Sequence, residues 1–328
     1  MLVRRGTHPL PDSETVQNSE KLIEHALGSS ENDHVIFLIS GGASSMFAVP
    51  HETATLAEKR EVTGTLMSRG ANISELNCVR RHISGIKGGR FASMVYPRKV
   101  CTFMISDVPT GIPEDIGSGP TLPDRTTCSD ALAVLRKYRT TVRLGRKVRS
   151  RLEDRRLETL KPEDRRISRS SAFTIAANRD AVMRLCSFCR EQGLTAFVSR
   201  YTLSGGAEQA AKLLIAEGRR RLHGKGVIAA GGEITTKASA GARGGRCQHF
   251  ALICSGMLHR DEIVVAFGTD GKDGNSDFAG AVGFSGLRGC REGPNDFEGE
   301  KCHRTMGTGL LTGKTGTNVS DIYLYCRL

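Results

Sequence analysis

The feature that most limits what this chain can fold into is a regular alternation. Apolar runs of strand length are separated by longer helical stretches, and several runs stop at glycine or a small polar residue. His34–Ile39 (HVIFLI) leads into Ser40-Gly41-Gly42-Ala43-Ser44-Ser45, and residues 99–105 (KVCTFMI) into Ser106-Asp107. Residues 226–230 (GVIAA) lead into Gly231-Gly232-Glu233, and residues 262–267 (EIVVAF) into Gly268-Thr269-Asp270. Residues 172–177, 195–199 and 321–326 read as further strands. His34–Ile39 reads as a buried strand, being apolar almost throughout. Helical patterns cover residues 15–27, 54–67, 129–156, 204–222 and 246–259, and another helix starts at Asn178 as its N-cap. Such a chain is α/β, with mostly parallel sheets and helices on both faces. A length of 328 residues favours two domains. The boundary is expected near His223-Gly224-Lys225, between a long helix and a new strand, giving domains 1–223 and 224–328.

Open α/β sheets take ligands at the carboxyl ends of their strands, so the small-residue turns are the first candidates for a site. Residues 76–121 concentrate the chemistry. Arg80, Arg81, His82, Lys87 and Arg90 form a basic cluster broken by Gly85, Gly88 and Gly89. Ser106-Asp107 ends a strand, and Gly117-Ser118-Gly119-Pro120-Thr121 closes the stretch. Cations, exposed N–H groups and a strand-end carboxylate are the parts of a phosphate and metal site. The turn from Ser40 to Ser45 either cradles an anion or is an ordinary strand-to-helix turn. Asp270, Asp273 and Asp277 in GTDGKDGNSDFAGA either bind Mg²⁺ or make Asx-turns; the spacing of an EF-hand is absent. Arg243-Gly244-Gly245-Arg246, opening a helix, can grip an anion bidentately or remain solvated. Lys314 in LTGKTGTN is not a Walker A lysine, because Thr308 stands where the first glycine is required.

Bulk properties exclude several classes. Net charge is +12, but residues 136–169 hold 14 Lys/Arg against 5 Asp/Glu, so most of the excess is local. That segment has Tyr138 as its one aromatic residue, which offers little stacking to nucleic acid. It reads as a solvated, mostly helical connector laced with salt bridges. No apolar run approaches the roughly 18 residues of a membrane span, and the N-terminus has no secretory h-region. Ten scattered cysteines, with Cys186-x-x-Cys189 the single close pair, suit reduced thiols in the cytoplasm.

Taken in order, the stretches THPLPD, LISGGASS, LNCVRRHISGIKGGR, ISDVP, GSGPTLPD, AANRDA, AGGE, RGGRCQ, GTDGKDGNSDFAGA and LLTGKTGTNVSDIYL resemble glycerate 2-kinase, the family whose C-terminal module is called MOFRL. Some members have carried the name hydroxypyruvate reductase. The resemblance spans nearly the whole chain. It implies an N-terminal Rossmann-like domain and a C-terminal MOFRL domain, with the active site in the cleft between them. It implies phosphorylation of D-glycerate by ATP and Mg²⁺ at the 2-hydroxyl, giving 2-phosphoglycerate. Carried onto this sequence, Asp107, Arg246 and Lys87 are expected to be catalytic. Gly41, Gly42, Ser44, Ser45, Ser118, Gly119 and Thr121 are expected to bind nucleotide phosphates, Arg80 and Arg90 the substrate, and Asp270 and Asp273 the metal.

The sequence also departs from the family pattern. The family's segment before HPxPD carries a G-x-G-K-A-like lysine loop, and here His8-Pro9 follows closely on Met1, so the chain reads as N-terminally truncated. Thr110-Gly111-Ile112 replaces an acidic pair, Gly206 a glutamate, Cys247 an asparagine, His249 a glutamate and Lys314 a proline. The alternative reading is therefore a catalytically impaired relative, a fragment or a pseudoenzyme. Hydroxypyruvate reduction is less favoured, since no G-x-G-x-x-G follows a strand. The expected partners are small molecules, not membrane or nucleic acid; the oligomeric state is not legible.

Overall fold

The apolar runs assemble into two sheets. The structure is a computed structural model and describes residues 3–108, 111–140, 143–236, 243–287 and 299–328. By packing, the chain divides into Met1–Ile175 and Ala176–Leu328.

The first unit holds β1 (His34–Ile39), β2 (Lys99–Ser106) and β3 (Ser170–Ala177), adjacent in that order. β1 and β2 pair in parallel, His34 opposite Lys99 and Ile39 opposite Met104. Their carboxyl ends therefore lie side by side, which brings the Ser40–Ser45 turn next to Asp107. The helices are α1 (Ser13–Leu27), α2 (Ala43–Met46), α3 (Leu56–Ser68), α4 (Ile73–His82), α5 (Arg90–Val95), α6 (Cys128–Lys137) and α7 (Arg146–Glu153). Their starts are set by local chemistry. Asp12 accepts the Thr15 N–H at α1, and the pairs Thr55/Glu58, Asn72/Glu75 and Thr127/Asp130 form reciprocal capping boxes at α3, α4 and α6.

This unit has two main apolar clusters. One packs Val35 and Phe37 of the sheet against Phe47, Ile86, Phe91 and Val95. The other is helical: Val62, Leu66, Leu76 and Val79 meet Leu132, Leu135, Val148, Leu152 and Leu157. That second cluster corrects the view of residues 136–169 as a solvated connector. α6 ends at Lys137 and α7 begins at Arg146, so the segment is not one helix, and its apolar side closes a core. Its charges do pair outward, as expected: Lys137 with Glu75, Arg143 with Glu61 and Arg151 with Glu52.

The second unit contains α8 (Asn178–Glu191), β4 (Thr195–Val198), β5 (Leu203–Gly206), α9 (Ala207–Arg221), β6 (Gly226–Thr235), α10 (Arg246–Ser255), β7 (Glu262–Gly268), β8 (Gly280–Phe284), α11 (Gly299–Thr305), β9 (Gly309–Leu310) and β10 (Asp321–Arg327). Strand order is β4-β6-β10-β7-β8-β9, with β5 also on β6. β4 and β5 run parallel to β6, while β10 is inserted antiparallel between β6 and β7, and β8 and β9 continue antiparallel. The α/β character is as expected; the returning last strand makes this sheet mixed. Alternate residues serve opposite faces. Ile228, Ala230, Tyr323 and Tyr325 pack with Leu214 and Phe250 of α9 and α10, whereas Val227, Ala229 and Ile322 pack with Val182 and Cys186 of α8.

Several local expectations change. Residues 204–206, read as the start of a helix, belong to the strand Leu203–Gly206 in parallel register with Gly232–Thr235, because Leu203 is buried and two glycines disfavour helix. β6 runs on to Thr235, so Gly231-Gly232-Glu233 lies inside the strand. Asn178 is the first residue of α8, not its cap, and its amide donates to the carbonyls of Val319 and Asp321 at 2.8 and 2.9 Å. By packing the units part after Ile175, since β4 pairs with β6 and α9 packs on the same sheet. Eight described cysteines are free thiols, but Cys302 is disulfide-bonded, which departs from the all-reduced expectation. No helix among the described residues is long and apolar enough to cross a membrane.

Candidate active site

In the first unit the two glycine-rich stretches turn out to be partners. Lys87 Nζ donates to the Gly117 carbonyl (2.8 Å), Gly88 N–H to the Ser118 carbonyl (3.2 Å) and Gly89 N–H to the Gly119 carbonyl (2.9 Å). Residues 117–119 all have positive φ, and Ser118 at +61° does so without being glycine. A non-glycine held there costs free energy and persists only when its surroundings fix it. Here the fixing is visible. Ser118 Oγ bonds Asn77 Oδ1 (2.9 Å) and lies 3.2 Å from Ser44 Oγ, and Asn77 Nδ2 donates to Asp115 Oδ1 (3.0 Å). Arg81 then bridges Asp115 and Asp124 at 2.8 and 3.1 Å. The hydroxyls of Ser44 and Ser118 are thus held together at the end of β1. Asp107 sits over the same turn, so close that a Cβ on Gly41 would run into its carboxylate. Burial raises the Asp107 carboxyl above its ordinary range.

Three cations adjoin this turn. Lys87 and Lys59 are buried, their amines on the carbonyls of Phe47 (3.3 Å) and Val49 (3.5 Å), just past α2. Burial, then Arg80 and Arg90, push the Lys59 amine down to about 7. Lys87 is driven down by burial and by Lys59 and Arg80. Arg80 is half-buried and, among the described residues, reaches the Met67 sulfur (3.8 Å); burial lowers it to about 10. Among the described residues no carboxylate pairs with Lys59, Lys87 or Arg80. Buried cations grouped without counter-charge are poised for an anion.

In the second unit the arginine that opens α10 is already matched. Arg246, the first residue of α10, places Nε and Nη2 on both oxygens of Asp321 and Nη1 on Glu233 Oε1 (2.6 Å). Asp321 opens β10 opposite Gly232, and Tyr323 Oη donates to it at 2.8 Å. Asp270 follows β7; its Oδ1 accepts the Lys272 N–H at 3.0 Å and its carbonyl accepts the Thr315 N–H at 3.1 Å. The LTGKTGTN stretch is therefore a loop docked on GTDG and leading into β10, with neither the preceding long strand nor the following helix of a P-loop.

Some expected site residues have other work. Asp273 is buried, and its carboxylate accepts from Cys247 N, Gln248 N and Gln248 Nε2 at 2.8–3.1 Å. It caps α10 and does not fit a magnesium ligand. Arg90 spends its guanidinium on the carbonyls of Arg81, Leu157 and Glu158 at 2.6–3.2 Å, which is a backbone brace and not a substrate grip. Lys87 is wholly buried on two carbonyls and braces the Gly117–Gly119 turn. Thr121 is buried on Thr102 Oγ1 (2.7 Å). Ser45 bonds the Gly42 carbonyl at 3.1 Å. Gly42 (φ +80°) and Gly119 (φ +62°) supply turns only glycine adopts easily. Thr110, in the replaced acidic pair, lies outside the described residues. Sequence reading missed Lys59, which sits inside an unremarkable helix, and the Asp321–Tyr323 partners of Arg246.

Two family models match the chain: a domain of unknown function (DUF4147) over residues 1–153 and the MOFRL family over residues 226–321. D-glycerate 2-kinase of Thermotoga maritima is 32% identical over 333 residues, covering 97% of this chain and 78% of that protein. A putative hydroxypyruvate reductase of Agrobacterium vitis is 33% identical, covering 98% and 76%. The crystal structure of glycerate kinase from Thermotoga maritima superposes with a TM-score of 0.86, covering 98% of this chain and 80% of that one. The chain belongs to the MOFRL family of glycerate kinases.

Proposed function

We propose that this protein transfers the γ-phosphoryl group of ATP to the 2-hydroxyl of D-glycerate, giving 2-phosphoglycerate. The observation that carries the reading is that Lys59 and Arg80 have no carboxylate partner among the described residues, near a serine-lined turn that Lys87 braces and Asp107 overhangs. Phosphoryl transfer asks for little else: held phosphates, neutralised oxygens and an oriented hydroxyl. Ser44, Ser118 and the N–H groups of the Gly41-Gly42 turn suit phosphate oxygens. Arg80 and Lys59 suit an anionic group of substrate or nucleotide. Asp107, its carboxyl raised by burial, suits acceptance of the hydroxyl proton as that oxygen bonds to phosphorus and the bond to ADP breaks. Asp270, half-exposed after β7, fits a magnesium ligand, and the ion supplies charge neutralisation to the phosphate oxygens when bound with ATP. Arg246 is held in a fixed orientation by Asp321 and Glu233 and suits a phosphate or carboxylate contact through its remaining guanidinium edge.

The second reading, a catalytically impaired relative, draws on Lys87 and Arg90, whose donors are committed to carbonyls and leave fewer cations for the reacting groups. One assay separates the two. Purified protein is incubated with ATP, Mg²⁺ and D-glycerate, and the products are resolved as 2- or 3-phosphoglycerate. The 2-isomer is expected; absence of any phosphorylated product leaves the impaired reading standing.

A further inference from the structure

Three side chains of the first unit that this reaction does not use meet in one place. His82 ends α4, Cys128 begins α6, and Glu158 lies in the segment after α7. One donor atom from each lies within 4.8 Å of the other two. His82 is fully buried, and its Nδ1 bonds the Cys78 carbonyl at 2.8 Å. A carbonyl can only accept, so the ring proton sits on Nδ1 and the Nε2 lone pair points away from it. That lone pair faces Glu158 Oε2 across 3.7 Å and is itself buried without a hydrogen-bond partner, whereas Glu158 Oε2 is met by Lys161 Nζ at 3.0 Å. Lys161 offsets the carboxylate's charge but leaves the buried imidazole nitrogen facing an acceptor oxygen, which an electropositive group between the two would relieve. The Cys128 thiol has one proton and can serve only one of them.

We propose that His82 Nε2, Cys128 Sγ and Glu158 Oε2 are the protein ligands of a buried divalent transition-metal site, for which zinc is the best match to the nitrogen, sulfur and carboxylate donor set. A histidine pinned through its second nitrogen by a backbone carbonyl is oriented as metal-bound histidines are. Ligands around a tetrahedral zinc lie roughly 3.3–3.8 Å apart, from its bond lengths, and the 3.7 Å His82–Glu158 separation is already in that range. The second carboxylate oxygen, Oε1, accepts the Cys128 N–H at 2.9 Å, which fixes the carboxylate's orientation. Metal binding releases the thiol proton to solvent. Burial and Glu158 push that thiol up to about 12, so affinity falls as pH falls. The other charged groups facing the cluster are Lys161, 3.0 Å from Glu158 Oε2, together with Asp124, Asp130 and Arg90. Lys161 is also held by Thr159 Oγ1 at 3.0 Å, at the rim of the cluster. The metal would staple α4, α6 and the Leu157–Glu158 carbonyls that brace Arg90.

The test loads the full chain with Co²⁺ or Zn²⁺. Expected are about one tightly held metal per chain, a thiolate-to-cobalt charge-transfer band and a rise in Tm with zinc. Cys128→Ser should abolish the band, and His82→Gln should weaken affinity by about 10–100-fold. Should Cys128→Ser fail to fold, Glu158→Gln serves instead, keeping the band while lowering affinity. Cys186→Ser/Cys189→Ser should change neither. No tight metal in the wild type, or a band that survives loss of Cys128 or vanishes with the Cys186/Cys189 pair, overturns the assignment.

Discussion

The two sheets are built from similar strands and finished in opposite ways. In the second unit β6 and β10 bury side chains on both faces, under α9 and α10 on one side and α8 on the other. In the first unit Phe37, Val100 and Met104 are covered, but on the opposite face Ile36, Leu38, Phe173 and Ile175 are 52–73% exposed. Charge repeats the contrast. The second unit pairs Arg246 with Asp321 and Glu233, Arg219 with Glu262 and Arg243 with Glu300. The first leaves Lys59, Lys87 and Arg80 without a carboxylate among the described residues. An arginine already matched by carboxylates serves as a frame; Lys59 and Arg80, near hydroxyl-lined turns and without a carboxylate among the described residues, are where an anion stabilises most.

The largest test of that contrast is catalytic. Asp107→Asn keeps the shape of the side chain and removes the proton acceptor, so kcat should drop by about 10²–10⁴ with the fold intact by circular dichroism. Arg80→Ala should act mainly on KM, raising it by at least about tenfold for an anionic substrate. If kcat in Asp107→Asn and KM in Arg80→Ala both match wild type, the first unit's cation cluster has no part in the reaction. Arg246→Ala is the matching change in the second unit. It strands the buried Asp321, so roughly 2–4 kcal/mol of stability should go with the activity, measurable as a shifted urea midpoint.

Much of this frame was legible in the sequence. His34–Ile39 matches its strand end to end, though not its expected burial, since Ile36 and Leu38 are exposed on one face, and the strand at 262–267 is off by one residue, because short apolar runs ending in glycine have few other solutions. What stayed hidden depends on distant partners. That Gly88-Gly89 would bond the carbonyls of Ser118 and Gly119 follows from a fold, not from either motif alone. Asp273 looked like a metal ligand because carboxylates in a glycine-rich loop fit one. Only the position of α10 reveals it as a helix cap. Lys59 gave no signal, since a lysine in an amphipathic helix normally reaches water.

Packing supplies the next test. Ile228→Ala in the doubly covered sheet should cost about 2–5 kcal/mol by denaturant unfolding. The same truncation at Leu38, which is 73% exposed, should cost a few tenths of a kcal/mol. Equal costs at the two sites would mean that the open face of the first sheet is covered in solution.

Lys59 gives a smaller effect with a definite sign. Its folded pKa of about 7 lies below the ordinary 10.5, so between those values the unfolded chain binds more protons and stability rises with pH. Below about pH 7 the folded state carries the full cost of the buried charge. Lys59→Met removes that cost. The variant should gain roughly 1–3 kcal/mol over wild type near pH 6, and the gain should shrink toward pH 10. Anion binding reverses the advantage, because a bound anion favours the charged amine. Phosphate should therefore raise the wild-type Tm more at pH 7 than at pH 9, and should raise that of Lys59→Met less at either. A Tm gain from phosphate that is the same with and without Lys59 would remove this lysine from the anion site.

The smallest expected effect is Leu38→Thr. Threonine brings the β-branched preference for strand that leucine lacks and replaces an exposed apolar surface with a hydroxyl that water can satisfy. The parallel pairing to Phe103 uses backbone groups, which the substitution leaves alone. Stability should stay within about 0.5 kcal/mol of wild type, while soluble yield should rise, since Ile36, Leu38, Phe173 and Ile175 form an exposed apolar patch. A loss of 2 kcal/mol or more, as roughly expected for a buried leucine, would show that this face is not open at all and that the two sheets are finished alike.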